Sequence, residues 1–295
     1  MLQWKEVPKT IWVIGAGFMG RGIAQICAQY GLSVCLVDPD AQALAEAPKY
    51  MIWSLRKVFE KGGLKEDLES VLARVTVHQE PPAGSSADFL IECIPEELSL
   101  KKMVFGAYDK ICPEKTIFAS NTSALPIGKL AISTDRPDRF IGTHFASPPV
   151  MQKLVEVIPG PRTSPETLLR TKTFLLGLER EIIEVGVDTA GFVMNRVYIA
   201  AAGEAMRLVE RRVAPAADID RAMRLGFGWV KGPLEAADLA GLDVIRGTMI
   251  SIWQETGDPR FNPPESLTRL VENGHLGRKT GRGFYEYPPQ EEKQS

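Results

Sequence analysis

Short apolar runs alternate with longer mixed stretches through the first half of the chain. The runs are TIWVIG (Thr10–Gly15), SVCLVD (Ser33–Asp38), DFLIECI (Asp88–Ile94), TIFASN (Thr116–Asn121), RFIGTHF (Arg139–Phe145) and KLVEVIP (Lys153–Pro159). Each is apolar along most of its length, as strands covered on both faces are. The stretches between them carry helix-type patterning. A seventh run, REIIEVG (Arg180–Gly186), follows another such stretch. This alternation predicts a mainly parallel sheet flanked by helices.

Past Gly191 the pattern changes. No strand run recurs until GFYEY near the end. Val193–Glu210 has apolar residues near helical spacing, and Asp218–Leu225, Leu234–Glu255 and Pro264–Asn273 also read as helices. The turn residues of EVGVDTAGF put a domain join near Asp188, giving domains 1–187 and 188–295. The polar tail PPQEEKQS reads as frayed.

Composition narrows the class without assigning a function. The chain has 295 residues, 35 Lys and Arg against 37 Asp and Glu, and no basic excess that would mark a nucleic-acid or anionic-membrane surface. It opens on a mixed, charged stretch with no secretory pattern, and no apolar run reaches the length of a membrane span. A cytoplasmic globular protein is expected. Cys27, Cys35, Cys93 and Cys112 lack CxxC spacing, and no His cluster suggests a metal site.

The strongest local motif is Gly15-Ala16-Gly17-Phe18-Met19-Gly20. A lone GxGxxG is weak, but a strand pattern leads into this one and a helix pattern leads out. A second strand then ends in Asp38, about 20 residues on, completing the dinucleotide-binding fingerprint. Gly15 permits the turn, Gly17 lets a pyrophosphate approach, and Gly20 lets helix and strand pack closely. The carboxylate of Asp38 suits ribose hydroxyls and repels a 2′-phosphate, which favours NAD over NADP. The expected fold class is therefore α/β: an N-terminal Rossmann-type dinucleotide-binding domain plus an all-helical C-terminal domain.

His144 ends the run FIGTHF, and the carboxyl ends of strands border the ligand crevice of such sheets. Glu156 lies between Val155 and Val157 in the next run. A carboxylate there either faces outward or pairs inside, since buried carboxylates are rarely unpaired; His144 is the available partner. An imidazole is a suitable general base for alcohol oxidation.

GAGFMGRGIAQICAQYGLSVCLVD, SNTSALPI, GTHFASPPVMQKLVEV, AGFVMNR, GPLEAADLAGLD and GRKTGRGFYEY stand in the order found in 3-hydroxyacyl-CoA dehydrogenases. The chain resembles that family from about Lys9 to Tyr287, and most of all its bacterial 3-hydroxybutyryl-CoA branch. The resemblance implies an oxidoreductase of fatty-acid metabolism that uses NAD to oxidise the C3 hydroxyl of an L-3-hydroxyacyl-CoA. It matches His144 to the catalytic histidine and Glu156 to its paired carboxylate. Ser123 matches a serine touching both substrate and cofactor, and Asn195 an asparagine that binds the reacting oxygen. Glu96, Lys101 and Lys279 match further cofactor positions, while Ser54 and Lys61 match positions that meet CoA. It also implies a site in a cleft between the domains and a homodimer formed through the helical domain.

The chain departs from the family pattern HFFNP, having Ala146 and Ser147 in place of Phe and Asn. Ser147 is a shorter cofactor contact, with a bridging water as one route; Ala146 enlarges the nearby space. Two other readings stay open: a related β-hydroxy acid dehydrogenase acting on an acyl-carrier-protein thioester, carnitine or a sugar acid, and a non-catalytic protein on the same fold. With a near-neutral chain, anions must be held by local features. The candidates are the helix start after Gly15, Lys61, Lys101 and Lys279.

Overall fold

A computed structural model describes residues 8–82 and 86–288 of the chain. All of the polar tail but Pro288 lies outside the described residues. The described residues form two compact units, divided between Thr189 and Ala190.

Among the described residues the first unit holds an eight-stranded sheet: β1 (Thr10–Ile14), β2 (Ser33–Val37), β3 (Val75–His78), β4 (Phe89–Glu92), β5 (Ile117–Ser120), β6 (Phe140–Phe145), β7 (Leu154–Pro159) and β8 (Glu181–Glu184). Their spatial order is β3-β2-β1-β4-β5-β6-β7-β8. Every neighbouring pair is parallel except β6 and β7. The helices are α1 (Phe18–Gln29), α2 (Ala41–Glu60), α3 (Leu68–Leu72), α4 (Leu98–Asp109), α5 (Ile127–Ala131) and α6 (Pro165–Gly177). Strand order reverses between β1 and β4, and that switch point opens a crevice beyond the strands' carboxyl ends.

The seven apolar runs all contain strands. β3 has no counterpart among them. Its residues are half-buried or exposed and it pairs only with β2, at the sheet edge, so VTVH carries little apolar signal. The sheet interior is continuous: Ile11, Val13, Leu36, Phe89, Ile91, Ile117, Ile141 and Val155 are buried in one cluster.

In the second unit the helices are α7 (Met194–Glu210), α8 (Ala216–Phe227), α9 (Pro233–Ala240), α10 (Leu242–Thr256) and α11 (Glu265–Glu272). The expected single helix Leu234–Glu255 is two helices. Gly241, at φ +99°, breaks it in a conformation open mainly to glycine. GFYEY is not a strand; only isolated bridges, Gly277 with Arg282 and Arg282 with Glu286, occur there. The reason is a buried carboxylate. Asp238 accepts from the Phe284 and Tyr285 N–H groups at 3.0 and 2.9 Å and from the Tyr287 hydroxyl at 3.0 Å. The Tyr285 hydroxyl donates to Asp220 at 2.7 Å. These backbone donors are taken by a side chain, so no neighbouring strand can use them. A Cβ on Gly283 would lie 2.1 Å from Asp238 Oδ1, so glycine is required there.

Candidate active site

The glycine turn leaves β1 at the switch point. Gly15 has φ +102°, and a Cβ on it would stand 2.7 Å from the Cys93 carbonyl oxygen. A Cβ on Gly20 would come within 1.7 Å of the Gly15 carbonyl oxygen. Both glycines are demanded by packing inside the chain. Gly17 is different: a Cβ there would meet nothing within 4 Å. No neighbour among the described residues explains a small residue at that point, which fits a cradle for an outside group. Gly17 is the N-cap of α1, with no side-chain cap and no acidic residue in the first turn. The first-turn N–H groups of α1, at Phe18, Met19 and Gly20, suit an anion such as a pyrophosphate.

Asp38 closes the turn. Its Oδ2 accepts from the Ala16 N–H at 2.7 Å and its Oδ1 from the Asp40 N–H at 2.9 Å. Each carboxylate oxygen has a second lone pair, so the group can still accept from ribose hydroxyls. The residues present fit NAD.

At the ends of β4 and β5 lies a charged network that extends beyond the predicted Glu96, Lys101 and Ser123. Glu92 is fully buried. It accepts from Lys101 Nζ at 2.6 Å, from the Ser120 hydroxyl at 2.6 Å and from the Ile94 N–H at 2.8 Å. Lys101 is itself buried and reaches Glu96 at 3.2 Å. Glu96 accepts from the Thr122 hydroxyl and from the Ser123 and Ala124 N–H groups, at 2.5, 2.8 and 2.9 Å. It thereby fixes the SNTS turn that carries Ser123. Burial pushes the Glu92 carboxyl up, and Lys101 only partly offsets this. Burial opposes the charge on Glu96 too, but Lys101 and the hydrogen bonds to the turn outweigh it and hold that carboxyl low. The Lys101 charge is thus shared between two carboxylates. Glu92 and Ser120 are not among the residues expected from sequence, although a signal existed: Glu92 is the one charge inside FLIECI.

His144 and Glu156 stand directly opposite each other across the antiparallel β6–β7 pair. Directly opposed residues put their side chains on one face, with Cβ atoms about 5 Å apart. His144 Nδ1 and Glu156 Oε2 are 2.8 Å apart, and both side chains are buried. A one-residue slip would send Glu156 to the other face. Asn121, which lies in the SNTS block but is not among the site residues expected from it, pins the register end: its Oδ1 accepts from the Phe145 N–H at 2.9 Å.

The other site candidates lie on separate elements. Ser54, buried, and Lys61, exposed, line a groove of about 560 Å³ between α2 and the turn at Pro148–Met151. Ser147 is exposed directly before that turn. In the second unit, Lys279 Nζ contacts both Asp243 oxygens, at 2.6 and 2.7 Å. Val193 is the N-cap of α7, so Asn195 lies in its first turn and does not cap it.

Comparison with known proteins assigns the chain. Residues 10–189 match the family model of the 3-hydroxyacyl-CoA dehydrogenase NAD binding domain, and residues 191–287 that of the C-terminal domain. A probable 3-hydroxybutyryl-CoA dehydrogenase of Bacillus subtilis is 41% identical over 288 residues, covering 97% of this chain and 99% of the relative. The human mitochondrial hydroxyacyl-coenzyme A dehydrogenase is 41% identical over 292 residues, covering 96% and 92%. The crystal structure of (S)-3-hydroxybutyryl-CoA dehydrogenase from Ralstonia eutropha superposes with a TM-score of 0.89 at 38% identity, over 95% of this chain and 99% of that one. With both domain models matched in order along one chain, this protein belongs to the 3-hydroxyacyl-CoA dehydrogenase family.

Proposed function

We propose that the protein is an NAD-dependent dehydrogenase that interconverts a short-chain L-3-hydroxyacyl-CoA, such as 3-hydroxybutyryl-CoA, and its 3-keto form. The observation that carries this reading is the buried His144–Glu156 pair on a sheet whose switch point has a dinucleotide turn. Gly15, Gly17, Phe18, Met19, Gly20 and Asp38 hold the cofactor, with Glu96, Lys101, Ser123, Ser147 and Lys279 as further contacts or supports. NAD, when bound, supplies the hydride acceptor. His144 takes the hydroxyl proton through Nε2, because Nδ1 faces Glu156. The Glu156 carboxylate fixes the ring and stabilises the imidazolium that forms. Ser123 and Asn195 donate hydrogen bonds to the substrate oxygen. Ser54 and Lys61 meet the CoA moiety.

The deciding experiment is a substrate panel. Acetoacetyl-CoA is expected to consume NADH with a kcat/KM well above that for acyl-carrier-protein, carnitine and sugar-acid analogues. NADPH is expected to be the poorer donor, since Asp38 repels its 2′-phosphate. No NADH oxidation with acetoacetyl-CoA, alongside turnover of another substrate, would refute the reading.

Among the described residues no helix is long and apolar enough to cross a membrane. A cytoplasmic location and a homodimer complete the proposal. The second unit exposes Leu225, Phe227 and Val230 at the end of α8 by 77, 77 and 94%, and clustered exposed apolar residues favour a protein interface. The variant Leu225→Asp/Phe227→Asp is expected to sediment as a monomer where the parent sediments as a dimer. A monomeric parent, or a variant that stays dimeric, would contradict this.

A further inference from the structure

We infer that Trp53 is the stacking platform for the adenine ring of the CoA thioester, with Lys57 and Lys61 as its phosphate partners. This rests on the proposed acyl-CoA reading and extends it to a residue outside the motifs quoted above.

Tyr50, Trp53, Ser54 and Lys57 recur at helical spacing along one side of α2, Lys61 follows at its C-cap, and all five line one groove. The inner part of that side is braced from α1. The Arg21 guanidinium sits 4.1 Å over the Tyr50 ring, and Phe18 meets the same ring edge-on at 6.1 Å. Tyr50 in turn lies 5.8 Å from the Trp53 indole. Trp53 is the outermost ring of this wall and is 59% exposed. An indole held against a fixed neighbour, with its outer side in water, offers a flat apolar surface at low entropy cost. A purine is the complementary shape, and such stacking tolerates water around it.

Charge selects a nucleotide over a neutral aromatic. Lys57 and Lys61 stand four and eight residues beyond Trp53, on the groove side. Arg56 lines an adjoining pocket that shares Trp53 and Lys57 with the groove. The nearest acid to Lys57 is Glu60 at 3.4 Å, with both side chains more than half exposed. A pair of that kind is weak and easily exchanged for a phosphate. Arg56, Lys57 and Lys61, in the two pockets that share this ring, match an adenosine carrying phosphates at its 3′ and 5′ positions. Ser54, on the same groove, is where the thioester arm would continue.

The test separates the nucleotide from the reacting end of the substrate. In Trp53→Ala, the KM for acetoacetyl-CoA is expected to rise about tenfold, the effect of losing one stacked base. Its kcat, its KM for NADH and its kcat/KM for the N-acetylcysteamine thioester of acetoacetate, which lacks the nucleotide, should not change. Adenosine 3′,5′-bisphosphate should inhibit competitively against acetoacetyl-CoA, with a Ki that rises by the same factor. Trp53→Phe, which keeps a ring, should recover much of the loss. Equal changes with both thioesters, or an unchanged KM for acetoacetyl-CoA, would overturn the platform while leaving the dehydrogenase reading intact. A parent enzyme that turns over neither thioester would overturn that reading, and this one with it.

Discussion

His144→Ala is expected to lower kcat for NADH oxidation with acetoacetyl-CoA by about 10²–10⁴-fold, the range for loss of a positioned acid or base. Circular dichroism should keep the parent's shape, but Tm should fall, because the change breaks a buried pair on one side; kcat is therefore compared well below the variant's Tm. Glu156→Gln is the sharper probe. The amide keeps the shape and can still accept at the position where Oε2 lies 2.8 Å from Nδ1. What it removes is the negative charge. If Glu156 stabilises the imidazolium, kcat falls by about 10²-fold or more while the KM for NADH holds. The two losses should not add, because both residues act through one ring. Full activity in both variants would end the assignment. A loss confined to KM would recast His144 as a binding group.

The register of β6 and β7 gives this expectation its geometric basis, and part of that register was legible in the sequence. A carboxylate between Val155 and Val157 either faces outward or pairs inside, and His144, twelve residues earlier in the preceding run, is the partner available for the second case. The parallel sheet was legible for a related reason: strands buried on both faces are apolar without interruption. β3 was not, because an exposed edge strand needs no apolar run. Glu92 and Asn121 were hidden by distance. Glu92 meets Ser120 across 28 residues, and Asn121 meets the Phe145 N–H across 24. Such partners are set by sheet order, which no local window contains. GFYEY misled for the opposite reason. Its alternation imitates a strand, but Asp238, 46 and 47 residues away, takes the N–H groups that a strand would share.

Lys101→Met is expected to be the most destabilising single change in the first unit's polar network, and its cost should depend on pH. The parent places Lys101 Nζ 2.6 Å from Glu92, and both side chains are essentially inaccessible to solvent. Burial alone would drive the Lys101 proton off, but Glu92 and Glu96 more than compensate and hold its pKa above the usual lysine value. Methionine fills the volume and removes the charge. Glu92 then keeps Ser120 and the Ile94 N–H but has no cation. Breaking a buried pair on one side costs about 3–5 kcal/mol, which lowers Tm by roughly 10 °C in a unit of this size. The sign of the pH dependence follows from Glu92. Its folded pKa is already above the ordinary 4.5 because burial outweighs its partners. Between the unfolded and folded values the native state holds the extra proton, so stability falls as pH rises through that window. Losing Lys101 lifts the folded value further and extends the window upward. The Tm difference between parent and variant should therefore be small near pH 5 and grow toward pH 8. Adding Glu92→Gln, which removes the stranded charge, should restore most of the loss at pH 8. A Tm difference that is the same at both pH values, or a double variant no better than Lys101→Met, would show that Lys101 contributes packing and not charge.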